Sequence, residues 1–312
     1  MTVGQWLDIW HKEYLGGTKP TTAYVYENNI RNHIKPALGA VRLVDLHPHM
    51  VQQFVNGLEL SPASVRLAYK VLHQALEKAV QLEYIPKNPA GGCVLPRQEQ
   101  EEIHPLDDQQ TAALLKASRG TMLENLIRVA LFAGLRQSEI LGLTWDSVDL
   151  EAGTITVDKQ LARPGYRKDG FFLSPKNGKA RTITAAPTVI AALKAQKRLQ
   201  AAAQLQAGPI WDNPYRLIFT SETGGPLAQY NVVKDFGKLA TAAGLEGVRF
   251  HDCRHTYAVN AIWSGDDIKT IQGNLGHATA AFTLDRYGHF TERMKQDSAA
   301  RMEGFIKDVL GL

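Results

Sequence analysis

Between Ile85 and Pro105 the periodic placement of apolar residues stops, and this interruption constrains the fold more than any other feature of the chain. Pro86, Asn88-Pro89, Gly91-Gly92 and Pro96 lead there into the charged run Arg97–Glu102, a composition that opposes helix and strand alike and suits an exposed connector. One core cannot run through such a segment, so each side must bury apolar residues of its own. With 312 residues, 44% of them hydrophobic, there is material for two cores. The chain therefore reads as a domain over 1–90, a linker over 91–105, a second domain over 106–290 and a tail over 291–312.

In the first segment Val3, Trp6, Leu7, Trp10 and Tyr14 recur at three- and four-residue steps, which predicts an opening helix with one apolar face. Pro20 heads a second periodic run to about His33, and a shorter helix is expected near Pro48–Leu58. Ser61-Pro62 has the form of an N-cap with proline at the first helical position, and Val65, Tyr69, Leu72, Leu76 and Val80 then share one side. These make a small four-helix domain. Beyond the linker, helices near Asp107–Ser118 and Thr121–Ala133 precede β signals at Thr154–Val157 and Arg181–Ala185, with the turn residues Pro175, Asn177 and Gly178 between them. Pro187–Ala207 is helical by propensity, Ile218–Thr220 is expected as a last short strand, and the remainder reads as helix. The fold class is mainly α with a small antiparallel β-sheet.

No stretch approaches the roughly 18 apolar residues that cross a bilayer, and Met1–Trp6 lacks the layout of a secretion signal, so a cytoplasmic location is expected. Cys93 and Cys253 are the two cysteines, far apart and without ligand spacing, which argues against a disulfide framework and against a zinc site. The net charge of +4 suits a nucleic-acid partner without demanding one. Residues 1–97 hold ten Lys and Arg against seven Asp and Glu, so the front segment is the more basic part for its size.

Arg136 and Glu139 lie three positions apart in Gly134-Leu-Arg-Gln-Ser-Glu139, so on a helix they share a face and the carboxylate can orient the guanidinium. His251 and Arg254 repeat the spacing, and His277 precedes Tyr287 by ten residues with no other strong nucleophile between them. Singly, these are a surface ion pair, a helix cap and a packed aromatic. Together, Arg136, Lys176, His251, Arg254, His277 and Tyr287 stand in the order and approximate spacing of the tyrosine recombinases, the phage integrase family, which the chain resembles from Pro105 to about Phe290. Thr2–Tyr14, His33–Gly39, Leu60–Ser64 and Tyr84–Pro89 are similar to the core-binding domain of integrases from phages and conjugative transposons.

The resemblance implies a two-domain DNA clamp, a helical core-binding domain joined to a recombinase catalytic domain. It implies a site-specific recombinase that cleaves and rejoins DNA through a 3′-phosphotyrosine on Tyr287, in integration or excision of a mobile element. A phosphodiester gains charge at its non-bridging oxygens as a fifth oxygen arrives, and the forks of Arg136 and Arg254 suit those oxygens. The phenol, with an ordinary pKa of about 10, must lose its proton as it attacks. His251 is the candidate acceptor and His277 a candidate to bond a phosphate oxygen instead, two roles that the sequence does not separate. The departing 5′-oxygen needs a proton, which the family supplies from a lysine on a β-hairpin; Lys176 falls there and Lys179 competes for the role. Because bond energy stays in the phosphotyrosine, neither metal nor nucleotide cofactor is expected, and the sequence has no Walker loop.

The expected partner is double-stranded DNA, met by Lys19, Thr21, Thr22, Tyr24, Arg31, Ser64, Arg66, Tyr69 and Lys70 in front and by Lys179 and Arg181 on the hairpin. A homo-oligomer is expected on the DNA, a tetrameric synapse, with accessory DNA-bending or directionality proteins. The tail, with Met294, Met302, Phe305, Ile306, Val309 and Leu310 at helical spacing, either folds on its own domain or docks on a neighbour. Two other readings compete: a catalytically silent DNA-binding regulator, against which the full residue set argues, and a type IB topoisomerase-like enzyme, against which the core-binding segment argues. Integrases of this subtype carry an arm-binding domain ahead of the segment that begins here at Thr2, so both a fragment and a naturally short recombinase stay open.

Overall fold

Thr2 accepts a hydrogen bond from the Gln5 backbone while the Gln5 side chain reaches back to the Thr2 N–H, and this reciprocal cap starts α1 (Val3–Tyr14). In the computed structural model, which describes residues 1–98, 103–162, 172–175, 177–288 and 302–310, the helix belongs to the first of two units, Met1–Glu101 and Glu102–Leu312. α2 (Pro20–Asn29) does not stop near His33. It passes through a π-type stretch, Ile30–Ile34, into α3 (Lys35–Leu38). The wider winding comes directly before Pro36, whose ring a regular helix would drive into the carbonyl four residues back. α4 (Pro48–Asn56) and α5 (Pro62–Gln81) complete the unit, α5 capped by Ser61 as its sequence predicts.

Trp6 and Leu7 of α1, Ile34, Val51, and Leu72 and Leu76 of α5 meet in one apolar core. The one polar atom of Trp6 is provided for, since its indole N–H donates to the Ala75 carbonyl at 2.8 Å. Tyr14, expected on the buried face, is 42% exposed because α1 ends there.

The second unit opens with α6 (Asp108–Ser118), capped by Asp107 and Gln110. α7 (Glu124–Ala133) is fully apolar on several sides, with Leu126, Ile127, Val129, Ala130 and Leu131 all buried. It packs against α9 (Pro187–Ala207) and α11 (Asp252–Trp263), with short α8 (Gln137–Leu141) following it. A three-stranded antiparallel sheet lies beside them in the order β1 (Val148–Asp149), β2 (Thr154–Val157), β5 (Arg181–Thr184), with Ile155 opposite Ile183. β3 (Gln160–Leu161) pairs with β4 (Phe172–Leu173). α10 (Gln229–Ala242), α12 (Ile268–Leu275) and α13 (Ala280–Tyr287) follow, and residues 302–310 are helical.

Ile218–Thr220 does not form the expected strand. Leu217, Ile218 and Phe219 are buried, but their pairing consists of single bridges, Thr144 with Leu217 and Thr220 with Pro226. A short buried apolar run reads alike whether or not a ladder forms. The expected linker is also partly used by its neighbours. Cys93 and Leu95 pack against the first core, whereas Ile103 and Leu106 are buried in the second unit, where the Leu106 N–H donates to Thr256 Oγ1 at 2.9 Å. Both cysteines are free thiols. Among the described residues no helix is long and apolar enough to cross a membrane.

Candidate active site

α7 ends at Gly134, whose φ of 64° is left-handed. A Cβ there would lie 2.3 Å from the Tyr257 ring, so conformation and space both require glycine. The turn delivers Arg136 to the head of α8, and Glu139, three residues on, accepts from the Arg136 backbone N–H at 2.9 Å and from its Nη1 at 2.8 Å. The pairing read from the spacing is present, but its setting is not a surface. Glu139 is 0% exposed.

A second arginine engages the same carboxylate. Arg181 of β5 donates Nη1 at 3.1 Å and Nη2 at 2.7 Å to Glu139, and its Nε donates to the Asn274 carbonyl at 2.8 Å. Expected at a DNA phosphate, Arg181 is instead largely buried, with its fork spent on Glu139. Gly276, left-handed at the end of α12, leaves room for it: a Cβ there would stand 2.7 Å from Arg181 Nη1. Arg254 of α11 approaches Glu139 at 4.0 Å and is itself tied to two turns, through Nη1 to the Gly134 carbonyl and Nη2 to the Leu275 carbonyl.

Burial alone would raise the Glu139 carboxyl, but the hydrogen bond and charge of Arg181, then the charge of Arg136, outweigh it and hold the pKa at about 2. Arg254 is pushed down to about 9, by burial first and then by Arg136. One carboxylate facing three guanidinium groups leaves the cluster with excess positive charge, and a buried excess of this kind favours a bound anion.

His277 follows Gly276, and its Nδ1 lies 2.9 Å from Thr283 Oγ1. Burial, then Arg254 and Arg136, push its pKa down to about 3. Tyr287 closes α13 with 1% exposure, its ring parallel to His277 at a centroid distance of 6.3 Å. Burial raises the phenol pKa, with Arg254 and Arg286 opposing. The hydroxyl's partner is not His251. It is His255, whose Nδ1 stands 2.7 Å away. His251 caps α11 at an exposed position, and its ring meets the His255 ring edge to face at 4.8 Å. Partial desolvation and then Arg254 lower the His251 pKa. The available signal for His255 was its place beside Arg254 and one turn after His251, on the same helical face.

Lys176 lies outside the described residues. Lys179 is exposed in a tight turn in which the Gly178 N–H donates to the Pro175 carbonyl and the Lys179 N–H to Asn177. In the first unit Lys19 stands at the head of α2 with Thr21 and Thr22 in its first turn, and Tyr24, Arg31 and Lys70 are exposed. Arg31 is steadied by the Asn28 and Asn32 side chains, and Ser64 bonds Ser61 Oγ at 3.0 Å. Arg66 and Tyr69, expected toward DNA, donate instead to the Pro96 and Ala90 carbonyls, each at 2.8 Å, and so fasten residues 90–96 to α5. Among the described residues no group of three or more His, Cys, Asp and Glu is placed to hold a metal ion.

The model of the phage integrase family matches residues 104–294, and that of the phage integrase N-terminal SAM-like domain matches residues 2–59. A tyrosine recombinase XerC-like protein of Caldanaerobacter subterraneus subsp. tengcongensis is 28% identical, over 96% of this chain and 82% of its own length. An integrase of Streptomyces ambofaciens is 27% identical, over 98% of this chain and 81% of its own. In fold, the chain is similar to the Tn1549 transposon integrase solved with a circular intermediate DNA, with a TM-score of 0.80 at 23% identity over 96% of this chain and 99% of that one. Lambda integrase (75–356), solved as a dimer on a core site, gives 0.73 at 19% identity over 94% and 96%. The chain belongs to the phage integrase family, the tyrosine recombinases.

Proposed function

We propose that this chain is a site-specific DNA recombinase that integrates or excises a mobile element by forming a 3′-phosphotyrosine on Tyr287. The observation that carries the reading is the positive Arg136–Glu139–Arg181–Arg254 cluster beside a buried tyrosine. A scissile phosphate supplies the anion that the cluster lacks. Arg136, 21% exposed, is the guanidinium with the most reach toward solvent, and Arg254 backs it. Their charge stabilises the non-bridging oxygens as they gain charge, a contribution of about 10²–10³ in rate per donor. Glu139 is a positioning residue: ionised and fully bonded, it holds two forks at fixed angles. His277, neutral and paired at Nδ1 with Thr283, is suited to donate Nε2–H to a phosphate oxygen.

Attack by the Tyr287 oxygen breaks the bond to the 5′-oxygen, which leaves as a hydroxyl once protonated. Lys176 or Lys179 is the proposed donor. A 5′-hydroxyl from another strand then reverses the step, with no nucleotide consumed. Duplex DNA is the substrate, met in front by Lys19, Thr21, Thr22, Tyr24, Arg31 and Lys70. A tetrameric synapse is the proposed working form, as lambda integrase forms on a Holliday junction. It is supported by the 302–310 helix, which exposes Met302, Phe305, Ile306, Val309 and Leu310 and would dock on a neighbour. Accessory directionality proteins and a cytoplasmic setting complete the proposal.

The test uses nicked duplex from the joined ends of its own element, which traps the intermediate. A denaturant-resistant protein–DNA adduct is expected from the wild type and none from Tyr287→Phe. Tight, salt-sensitive binding with no adduct from either protein would instead point to a DNA-binding regulator.

A further inference from the structure

Ser174 and Arg181 flank the turn that carries Lys179, and both are tied to neighbouring residues of α8. Resting on the reading of Lys176 or Lys179 as the acid, we propose that Arg181 and Gln160 are positioning residues that hold this turn in register with Arg136, so that the acid meets the leaving 5′-oxygen of the phosphate bound there.

The turn cannot aim itself. Its described hydrogen bonds, from the Gly178 N–H to the Pro175 carbonyl and from the Lys179 N–H to Asn177 Oδ1, are local and fix its shape, while residues 177–180 are exposed. Direction has to come from the two stems. On one side Arg181 is the last rung of the β2–β5 ladder, opposite Val157, and its side chain gives both Nη atoms to Glu139, at 3.1 and 2.7 Å. On the other side the Ser174 carbonyl accepts from Gln160 Nε2 at 2.9 Å, and Gln160 Oε1 accepts from Ser138 Oγ at 2.9 Å. Ser138 and Glu139 are consecutive residues of α8, the helix that Arg136 heads. The turn and the Arg136 guanidinium thus take their positions from one short helix.

The tethers differ in strength. A guanidinium fork on a carboxylate makes two charge-assisted bonds that fix an angle as well as a distance, and with Arg181 11% and Glu139 0% exposed, water competes little for them. The Gln160 link is neutral and half-buried. Arg181 also reaches a third element, since its Nε donates to the carbonyl of Asn274, close before His277, while Asn274 Nδ2 donates to the Tyr257 hydroxyl at 3.0 Å. Turn, Arg136 and His277 therefore share one frame. A shift of about 1 Å in such a frame can cost about 10²-fold in rate, which is of the order of a general acid's whole contribution.

In the step concerned, the Tyr287 oxygen–phosphorus bond forms and the bond from phosphorus to the 5′-oxygen breaks. The lysine ammonium gives its proton to that oxygen and is left as an amine, and the phenol's own proton goes to the histidines at the start of α11. With sulfur at the bridging 5′ position the thiolate leaves without a proton, so a misplaced acid no longer slows the step.

The test is single-turnover cleavage of the nicked duplex by the full chain, with oxygen or sulfur at the bridging 5′ position, for the wild type, Arg181→Gln, Arg181→Lys and Gln160→Ala. On the oxygen substrate Arg181→Gln is expected to be about 10²-fold slower; Arg181→Lys and Gln160→Ala, which each keep part of the tethering, should be about 10-fold slower. On the sulfur substrate all three should come within about threefold of wild type. Equal slowing on both substrates would assign these residues to the phosphate site or to the fold alone and overturns the proposal, as does wild-type cleavage of the oxygen substrate. Should the Arg181 variants not fold, Gln160→Ala decides by the same comparison. Lys176→Ala and Lys179→Ala form a separate arm. Sulfur should rescue one of them, and rescue of neither sinks the lysine reading itself, whereas a rescued lysine variant beside unrescued Arg181 and Gln160 variants sinks only the tether.

Discussion

The two units bury different things. Among the described residues the first unit's core is Trp6, Leu7, Ile34, Val51, Leu72, Leu76 and their apolar neighbours, and every buried polar or charged side chain of the molecule lies in the second, including Glu139, Asp252, Arg254, His255 and His277. Apolar burial stabilises in proportion to area and asks only for shape. A buried ion cluster is different, because its desolvation offsets much of what its attractions contribute, and similar packing by apolar groups would often be as stable. The second unit therefore keeps its charge at some cost to stability, as the phosphate site proposed for it requires. The first unit has no such duty and holds the cations proposed to meet DNA, Lys70 among them, at the surface.

The sharpest way to break this contrast is chemical. Tyr287→Phe should remove the covalent adduct completely, whereas Lys70→Ala in the first unit should leave adduct formation at saturating DNA intact; gel analysis of denatured reactions reports both, and an adduct from the Phe variant would move the nucleophile elsewhere. Next in size is stability. Glu139→Ala strands three guanidinium groups and should cost about 3–5 kcal/mol in denaturant unfolding. Added sulfate should return part of that loss by taking the carboxylate's place. Leu72→Ala, at a similarly hidden site in the first unit, should cost about 2–5 kcal/mol and show no response to sulfate. A sulfate effect on both, or on neither, would erase the distinction.

Smaller, and separable by region, is the response to acid. His255 and His277 have folded pKa values of about 4 and about 3 against an ordinary 6.5. The unfolded chain takes up protons near 6.5 that the folded second unit refuses, so the stability these groups contribute is full above about pH 6.5 and declines as pH falls toward their folded values. Glu139, held at about 2 against an ordinary 4.5, extends the decline below pH 4.5. Urea unfolding at pH 7 and pH 5, followed through the indole NMR signals, should show Trp145, Trp211 and Trp263 shifting their midpoint more than Trp6 and Trp10. The smallest effect expected is on DNA grip: Lys70→Ala should weaken binding alike on all sequences and lower the salt slope by about 1.

The first unit was the more legible of the two. α1 and α5 have caps, period and apolar face all in agreement, so Thr2, Ser61 and Pro62 mark their starts without help from the rest of the molecule. The π-type stretch before Pro36 was not visible, since it answers a clash between atoms four residues apart. In the second unit β1, β3 and β4 have two residues each, too few to show alternation, and the buried run at Ile218–Thr220 looked like the strand it is not.

For the site the division is equally physical. Arg136 with Glu139, and the chain order of His251, Arg254, His277 and Tyr287, were determined by the sequence alone, because local spacing on a helix places side chains three and four apart on one face. That Arg181 gives its fork to Glu139 across 42 positions, and that His255 rather than His251 reaches the phenol across 32, was decided only by tertiary structure. Periodicity tells which face of an element is turned inward. Which atoms of another element wait there depends on how α11, α12, α13 and β5 pack together, and no local pattern in the chain encodes that meeting.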